Sequence, residues 1–357
     1  MARVILILLL LCQPFYLCGE TIGFREPGLL GAVEPGQPRV VIVRDPAATR
    51  QLAPQPDVVA SMVSRGVTAF TGQTSAVAAW RSLVSVTQDV VGVKVYSPPG
   101  PASGTRPAVV AAVVRGLLDA GMPGSRIVIW DRRLEDLKAG GFSDLASSLG
   151  VRVAGAVDSG YDPDVIYANP YLGQLVFGDL EFGKADVSGE GNSNRSTGRN
   201  SHLSRLLTQE LTRLINIAPL LNHNHAGVSG ILYTVASAAT DNFLRFESNP
   251  ALLASAVPEI YGLTNIADRV AINIVDALIG QYEGRQRSLL HYSSTPNELR
   301  FGTDPVALDV LSIEELNRAR HLAGVAMITN VFELYGNARL LELGSDDARR
   351  IEILRVD

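Results

Sequence analysis

Two histidines, His223 and His225, stand two residues apart in the run LINIAPLLNHNHAGVSG that spans 214–230. Neutral imidazole accepts and relays protons near neutral pH and ligates divalent metals, so a turn that curls the two rings together could act as a general base or a metal site. Ionisable residues stop other apolar runs in the same way. Lys94 lies at the end of DVVGVKV, Asp131 follows RIVIW and precedes Arg132, Asp276 follows RVAINIV, and Asp304 follows LRFGT. A cation, two imidazoles and three carboxylates suffice for acid–base or metal-assisted chemistry on a small molecule. The expected catalytic set is His223, His225, Asp131 and Lys94. The expected metal set is His223, His225 and Asp276, with Asp131 and Asp304 as alternative carboxylates and zinc, iron or manganese suited about equally.

Each residue also has a plainer explanation. Asn222 and Asn224 could supply turn hydrogen bonds around solvated histidines. Asp131 beside Arg132 could be a solvated ion pair of little worth, and Asp304 before Pro305 an ordinary helix cap. Thr105 is placed to cap a helix with Pro107 in its first turn. The free N–H groups there could instead hold an anion, with Lys94 as counter-charge. The residues expected to contact substrate are Thr105, Arg132, Asn222, Gly227 and Asp304.

The elements that must position these groups follow from hydrophobic periodicity. Leu214 to Leu221 is nearly unbroken apolar sequence, as in a strand covered on both faces of a parallel sheet. Segments 40–44, 89–95, 126–130, 151–157 and 269–276 read as further strands, and 299–303 as a short extended piece. Helical spacing marks 50–85 with a break at Gly72, 105–121, 202–213, 228–240, 250–263 and 304–320. This alternation predicts an α/β fold: a mostly parallel, Rossmann-like sheet flanked by helices in a single large domain after residue 20. In such a sheet the polar strand ends share one rim, where open α/β sheets bind ligands. Segment 186–201, polar and rich in glycine, is expected to be a flap or hairpin, and the charged tail from 337 to fold over a sheet edge. Gly189 and Gly191 make no dinucleotide fingerprint, and there is no GxSxG elbow, Walker A loop or HExxH.

With 357 residues, 46% hydrophobic and 19% charged, the chain can bury a large core, and a net charge of -5 argues against nucleic acid as a partner. Arg3 followed by the apolar run 4–11 makes 1–19 read as a Sec-type export signal, too short to span a bilayer, so the protein is expected to be periplasmic or secreted. Membrane association is expected at most through N-terminal anchoring. Both cysteines, Cys12 and Cys18, lie in that segment. The remaining chain offers no thiolate for a disulfide, a zinc site or an iron–sulfur cluster, so no such cluster is expected. The partner class is a small-molecule ligand, either turned over by an enzyme or held by a non-catalytic binding protein in the same cleft.

DVVGVKV (89–95), TRPAVVAAVVRGLLDAGMP (105–123), RIVIWDR (126–132), SRLLTQELTRLINIAPLLNHNHAGVSG (204–230), VDALIGQY (275–282) and GTDPVALD (302–309) together resemble domain of unknown function 362. The resemblance covers roughly residues 40–315 in the family's order. It implies no agreed activity; some members are exported and some carry ferredoxin-like modules whose cysteines this chain lacks. The chain departs from the family pattern at Leu221 and Tyr233, where lysines are usual, and at Tyr96, where asparagine is usual. If those cations bind substrate, these departures imply an altered or inactive copy.

Overall fold

The computed structural model describes residues 37–174, 197–247, 249–284, 287–329 and 331–357, and the span from Gln37 to Asp357 forms one compact unit. The expected export signal lies outside the described residues, as does most of the 186–201 segment. Among the described residues no helix is long and apolar enough to cross a membrane.

Apart from a small ribbon of Thr49–Arg50 against Ala53–Pro54, the strands are β1 (Arg39–Arg44), β2 (Val91–Lys94), β3 (Ile127–Asp131), β4 (Arg152–Gly155), β5 (Tyr161–Gln174), β6 (Thr197–Ser204), β7 (Arg213–His223), β8 (Gly227–Val228), β9 (Val270–Gln281), β10 (Ser293–Ser294), β11 (Glu298–Gly302) and β12 (Glu352–Val356). The main helices are α1 (Pro56–Thr71), α2 (Ala76–Leu83), α3 (Pro107–Asp119), α4 (Leu134–Ala139), α5 (Phe142–Leu149), α6 (Ile231–Ala239), α7 (Pro250–Tyr261), α8 (Pro305–Leu322) and α9 (Phe332–Leu340). The central sheet runs β12-β1-β11-β9-β7-β2-β3-β4. From β9 through β7, β2 and β3 to β4 every neighbour is parallel, while β11 runs antiparallel between β9 and β1. The expected parallel α/β architecture is therefore the one observed.

A parallel sheet needs cover on both faces, and two cores supply it. One face carries α1 to α5, packed on Val91, Val93, Ile127, Ile129, Ile274 and Leu278. The other carries α6 to α9, packed on Val128, Trp130, Leu214, Leu220 and Val275. Strand β7 sits at the centre, with every residue from Leu214 to His223 buried. Each large aliphatic side chain so buried contributes about 1.5–3 kcal/mol, which is why an apolar run without alternation folds here.

Local chemistry sets the helix ends. Pro56 begins α1, and Gly72 ends it in the left-handed conformation at φ 69°. The Asp304 carboxylate accepts from the Ala307 N–H at 2.8 Å to start α8.

Three expectations about local structure are corrected. Residues 202–213 are not a helix: His202 to Ser204 end β6, which pairs antiparallel with β5, and only a five-residue π-helical turn (Leu206–Glu210) precedes β7. The cross-strand partners at 161–174 override the local helical spacing. Helix α6 starts at Ile231 instead of 228, because Gly227 and Val228 double back as β8 against His223 and Asn222. Strand β9 continues to Gln281, so Asp276 lies inside a strand and not at its end. The tail does reach a sheet edge, where β12 adds parallel to β1 as the outermost strand.

Candidate functional site

Strands β2 and β3 end side by side, with Lys94 opposite Trp130 in register. Lys94 Nζ donates to Asp131 Oδ1 at 2.9 Å and also to the Val95 carbonyl. Asp131 Oδ2 accepts from the N–H and the hydroxyl of Ser97, both at 2.7 Å. The pair is sealed, Lys94 being 1% and Asp131 2% exposed, and the ammonium lies 5.5 Å from the Trp130 ring centroid. Burial pulls the Lys94 pKa below its usual value, although the Asp131 charge and hydrogen bond oppose that shift.

The histidine turn joins β7 to β8. Gly227 holds it at φ 81°, and a Cβ there would stand 3.0 Å from Ile313 Cδ1 and 3.1 Å from Val331 Cγ1, so glycine is required twice over. His223 Nδ1 accepts from the N–H groups of His225 (3.2 Å) and Ala226 (2.9 Å). That ring nitrogen must present its lone pair, which puts the hydrogen of the neutral ring on Nε2, 3.6 Å from Glu247 Oε2. His223 is therefore held by the fold at Nδ1 and turned toward the Glu247 carboxylate at Nε2. His225 is arranged the other way round. Its Nδ1 is 2.7 Å from the Glu247 carbonyl oxygen, an acceptor only, so Nδ1 carries the hydrogen and Nε2 keeps an open lone pair. The ring is half-buried, 6.3 Å from His223.

Glu247, in the loop after α6, ties the two rings together. Its carboxylate accepts from the Tyr233 hydroxyl at 2.6 Å and faces His223. Burial pushes its pKa up, but His223, Tyr233 and His225 together bring it below the usual value. Tyr233 stacks 4.3 Å from His223 and meets Tyr96 edge-on at 6.3 Å, and the Tyr96 ring lies 6.0 Å from Lys94 Nζ. Burial, with the charges of Glu247 and Asp131, raises the Tyr96 pKa well above its usual value, so this hydroxyl stays protonated. The two tyrosines thus bridge the lysine–aspartate pair to the histidine turn along one rim.

The structure brings Lys94, Asp131, His223 and His225 to that rim and separates the other candidates from it. Asp276 shares its strand face with Ile274 and Leu278 and so faces the α1-to-α5 side of the sheet. There it accepts from the Arg106 N–H at 2.9 Å and pairs with the Arg106 guanidinium at 3.1 Å, both partners being almost fully buried. The start of α3, where an anion was the alternative to ordinary capping, is thus occupied by a carboxylate of the chain itself. Asp276 consequently does not join His223 and His225. Among the described residues no group of three or more His, Cys, Asp or Glu side chains is placed to hold a metal ion. Asp304 is at the opposite edge of the sheet, because β11 runs antiparallel and its end lies beside Asn273 near the start of β9. Its carboxylate caps α8 and accepts from the Ser345 N–H at 2.9 Å.

The expected substrate contacts are mostly engaged by protein. Thr105 Oγ1 accepts from the Tyr96 N–H at 2.9 Å and donates to the Ile217 carbonyl at 2.7 Å, stitching the loop after β2 onto β7. Asn222 bonds Asn224 and accepts from Arg320 at 3.1 Å. Arg132, half-buried beside Asp131, donates to the Ser237 carbonyl at 3.3 Å. Arg106 and Glu247 are the residues that sequence reasoning passed over. Arg106 stood in the quoted TRPAV segment directly after Thr105, whereas Glu247 follows a short turn with no periodic signal.

Fold and rim together define an α/β protein with a polar cluster at the carboxyl edge of a parallel sheet. No protein-family model matches the chain, and no curated protein does. Among solved structures, a structural-genomics protein from Thermotoga maritima is similar over 69% of this chain at 14% identity, with a TM-score of 0.34. This chain covers 58% of that one, and a likeness so distant carries no argument about activity.

Proposed function

We propose that the chain is an exported acid–base enzyme acting on a small anionic molecule, with His225 as the group that takes and returns the proton. One observation carries this reading: His223 is held by the fold at Nδ1 and faces Glu247 at Nε2, while His225 Nε2 has no protein partner among the described residues and stands half-buried on the rim. A positioned imidazole of this kind contributes roughly 10²–10⁴-fold to a proton-transfer step. Arg132, half-buried at the rim, supplies positive charge for an anion, while Lys94 and Tyr96 are buried behind it and stiffen the rim. Glu247 orients His225 through its backbone carbonyl and holds His223 through its carboxylate. A divalent metal would find a single open imidazole here, so no step is assigned to one.

The resemblance to domain of unknown function 362 supports membership of that family, and the departures at Tyr96 and Tyr233 fall together, ring against ring, within the rim. In this reading a tyrosine pair stands where the family carries an asparagine and a lysine, which moves substrate charge recognition onto Arg132. A second reading, a non-catalytic ligand-binding protein, is favoured by the pairing of Lys94 with Asp131, which takes both out of acid–base work.

The test is incubation in deuterated water with a panel of small carboxylates and phosphate esters, read by NMR for turnover or deuterium uptake. Activity of the wild type that is lost in His225→Gln at unchanged thermal stability supports the enzyme. A compound that raises thermal stability without any exchange supports the binding protein. Activity that survives in His225→Gln contradicts the role given to this ring.

A further inference from the structure

Behind the histidine turn lies a cavity of about 440 Å³ between α8, the start of α9 and the segment 346–349. Its volume falls within the range of small-ligand sites, about 300–1,000 Å³. Val310, Ile313, Glu314 and Asn317 line one wall at the spacing of a single helix face. Asn317 brackets the opposite rim: its amide donates to the Ile328 carbonyl at 3.2 Å and accepts from the Ile328 N–H at 2.7 Å, which holds the cavity open in advance of any ligand. Phe332, at the mouth, is 76% exposed, a large apolar side chain left facing water beside an apolar hollow.

The charge around this hollow is one-sided. Three carboxylates line it, Glu314, Asp346 and Asp347, against one guanidinium, Arg349, which is bound to Asp347 at 2.9 Å. Asp346 is held by Arg339 at 3.1 Å. Glu314 has no ion-pair partner among the described residues and is exposed. An unmatched carboxylate next to apolar walls and an exposed aromatic ring fits a monocation with an apolar body, the ammonium reaching Glu314 and the face of Phe332.

We propose that this cavity is a second ligand site, for a small amine with an apolar or aromatic body, and that its occupancy is felt at the histidine turn. The connection is direct. Ile313 and Val331 are the side chains packed against Gly227, and Tyr335, another lining residue, donates its hydroxyl to the Ala226 carbonyl at 2.9 Å. A ligand that shifts either wall moves the turn that carries His225. The binding claim stands apart from the acid–base reading; only the consequence for His225 rests on it.

The experiment uses the full chain with labelled isoleucine and valine methyl groups, titrated with 2-phenylethylamine and, separately, with phenylacetate. The expected result is saturable movement of the Ile313 and Val331 signals with the amine, and affinity at least about tenfold weaker for phenylacetate, which corresponds to about 1.4 kcal/mol. Glu314→Gln, a surface change that leaves the core intact, should weaken the amine by a similar factor. Val331→Phe, which narrows the cavity, should weaken it further. Equal response to amine and acid, no saturation below about 10 mM where the gain would fall under about 3 kcal/mol, or amine affinity unchanged in Glu314→Gln would each overturn the site. Amine binding that leaves the His225 ring signals in place would overturn the connection to the turn.

Discussion

Asp309, one turn inside α8, caps a helix other than its own. Its Oδ1 accepts from the Ile231 N–H at 2.6 Å and its Oδ2 from the Leu232 N–H at 3.1 Å, fixing α6 directly after the histidine turn. Full burial, with the Asp304 charge adding, pushes its pKa from 3.8 up to about 7 despite those two donors. Between these values the folded state holds a proton that the unfolded chain has released, so this group favours folding at low pH and the contribution is lost as pH rises through about 7. Three pH units at about 1.4 kcal/mol each set the size at about 4 kcal/mol, and attraction to the positive end of α6 reduces it by up to about 2 kcal/mol. Asp309→Asn removes the titration while costing about 1–3 kcal/mol for the N–H it leaves unsatisfied. Urea unfolding of both proteins at pH 4.5 and pH 8 is the assay. From pH 4.5 only about 2.5 units of that span are crossed, so the stability difference, wild type minus variant, should fall by about 1.5–3.5 kcal/mol between the two pH values. A difference that stays level, or grows with pH, would refute the dominance of burial over the helix terminus.

Asp276→Ala should cost about 3–5 kcal/mol in the same assay, because it leaves Arg106 charged and buried without its partner; a loss under about 1 kcal/mol would contradict a fully desolvated pair. Gly230→Ala should destabilise by about 1–3 kcal/mol, since the added Cβ would stand 2.0 Å from Asp309 Oδ1 and push the cap off α6. Thermal unfolding of that variant measures it, and an unchanged midpoint would show that the cap yields freely. Elemental analysis of protein grown with zinc, iron and manganese should give the same metal content for wild type and His223→Ala, because that ring is held by the fold at Nδ1 and faces Glu247 at Nε2; metal lost in the variant would make His223 a ligand after all.

The sheet was legible because its parallel strands are buried on both faces and so appear as apolar runs: 89–95, 126–130, 214–221 and 269–276 each fall within a residue or two of an observed strand's start. Strand β6 was not, because its sequence around His202 to Ser204 has no apolar alternation and is held by pairing with residues some forty positions earlier. The shared rim was legible only in part. Reading every apolar run as parallel put Asp304 on the wrong edge, since strand direction depends on which neighbour a strand finds and is not written in its own residues. Asp276 reads as a strand end because the polar residue interrupts the apolar pattern, yet Arg106 neutralises it inside the strand. Glu247 could not be found from sequence: its importance comes from two histidines and a tyrosine that the fold brings to it.

The central claim is the division of labour in the histidine turn, and the hydrogen on each ring reports it. Long-range ¹H–¹⁵N correlation spectra of the neutral protein, assigned with His223→Gln and His225→Gln, distinguish the two tautomers at each site. His223 is expected to carry its hydrogen on Nε2, facing Glu247, and His225 on Nδ1, facing the Glu247 carbonyl, with the His225 Nε2 lone pair open to a ligand. The reverse pattern, with His223 protonated on Nδ1 or His225 on Nε2, would contradict the account and remove the base on which the proposed chemistry depends.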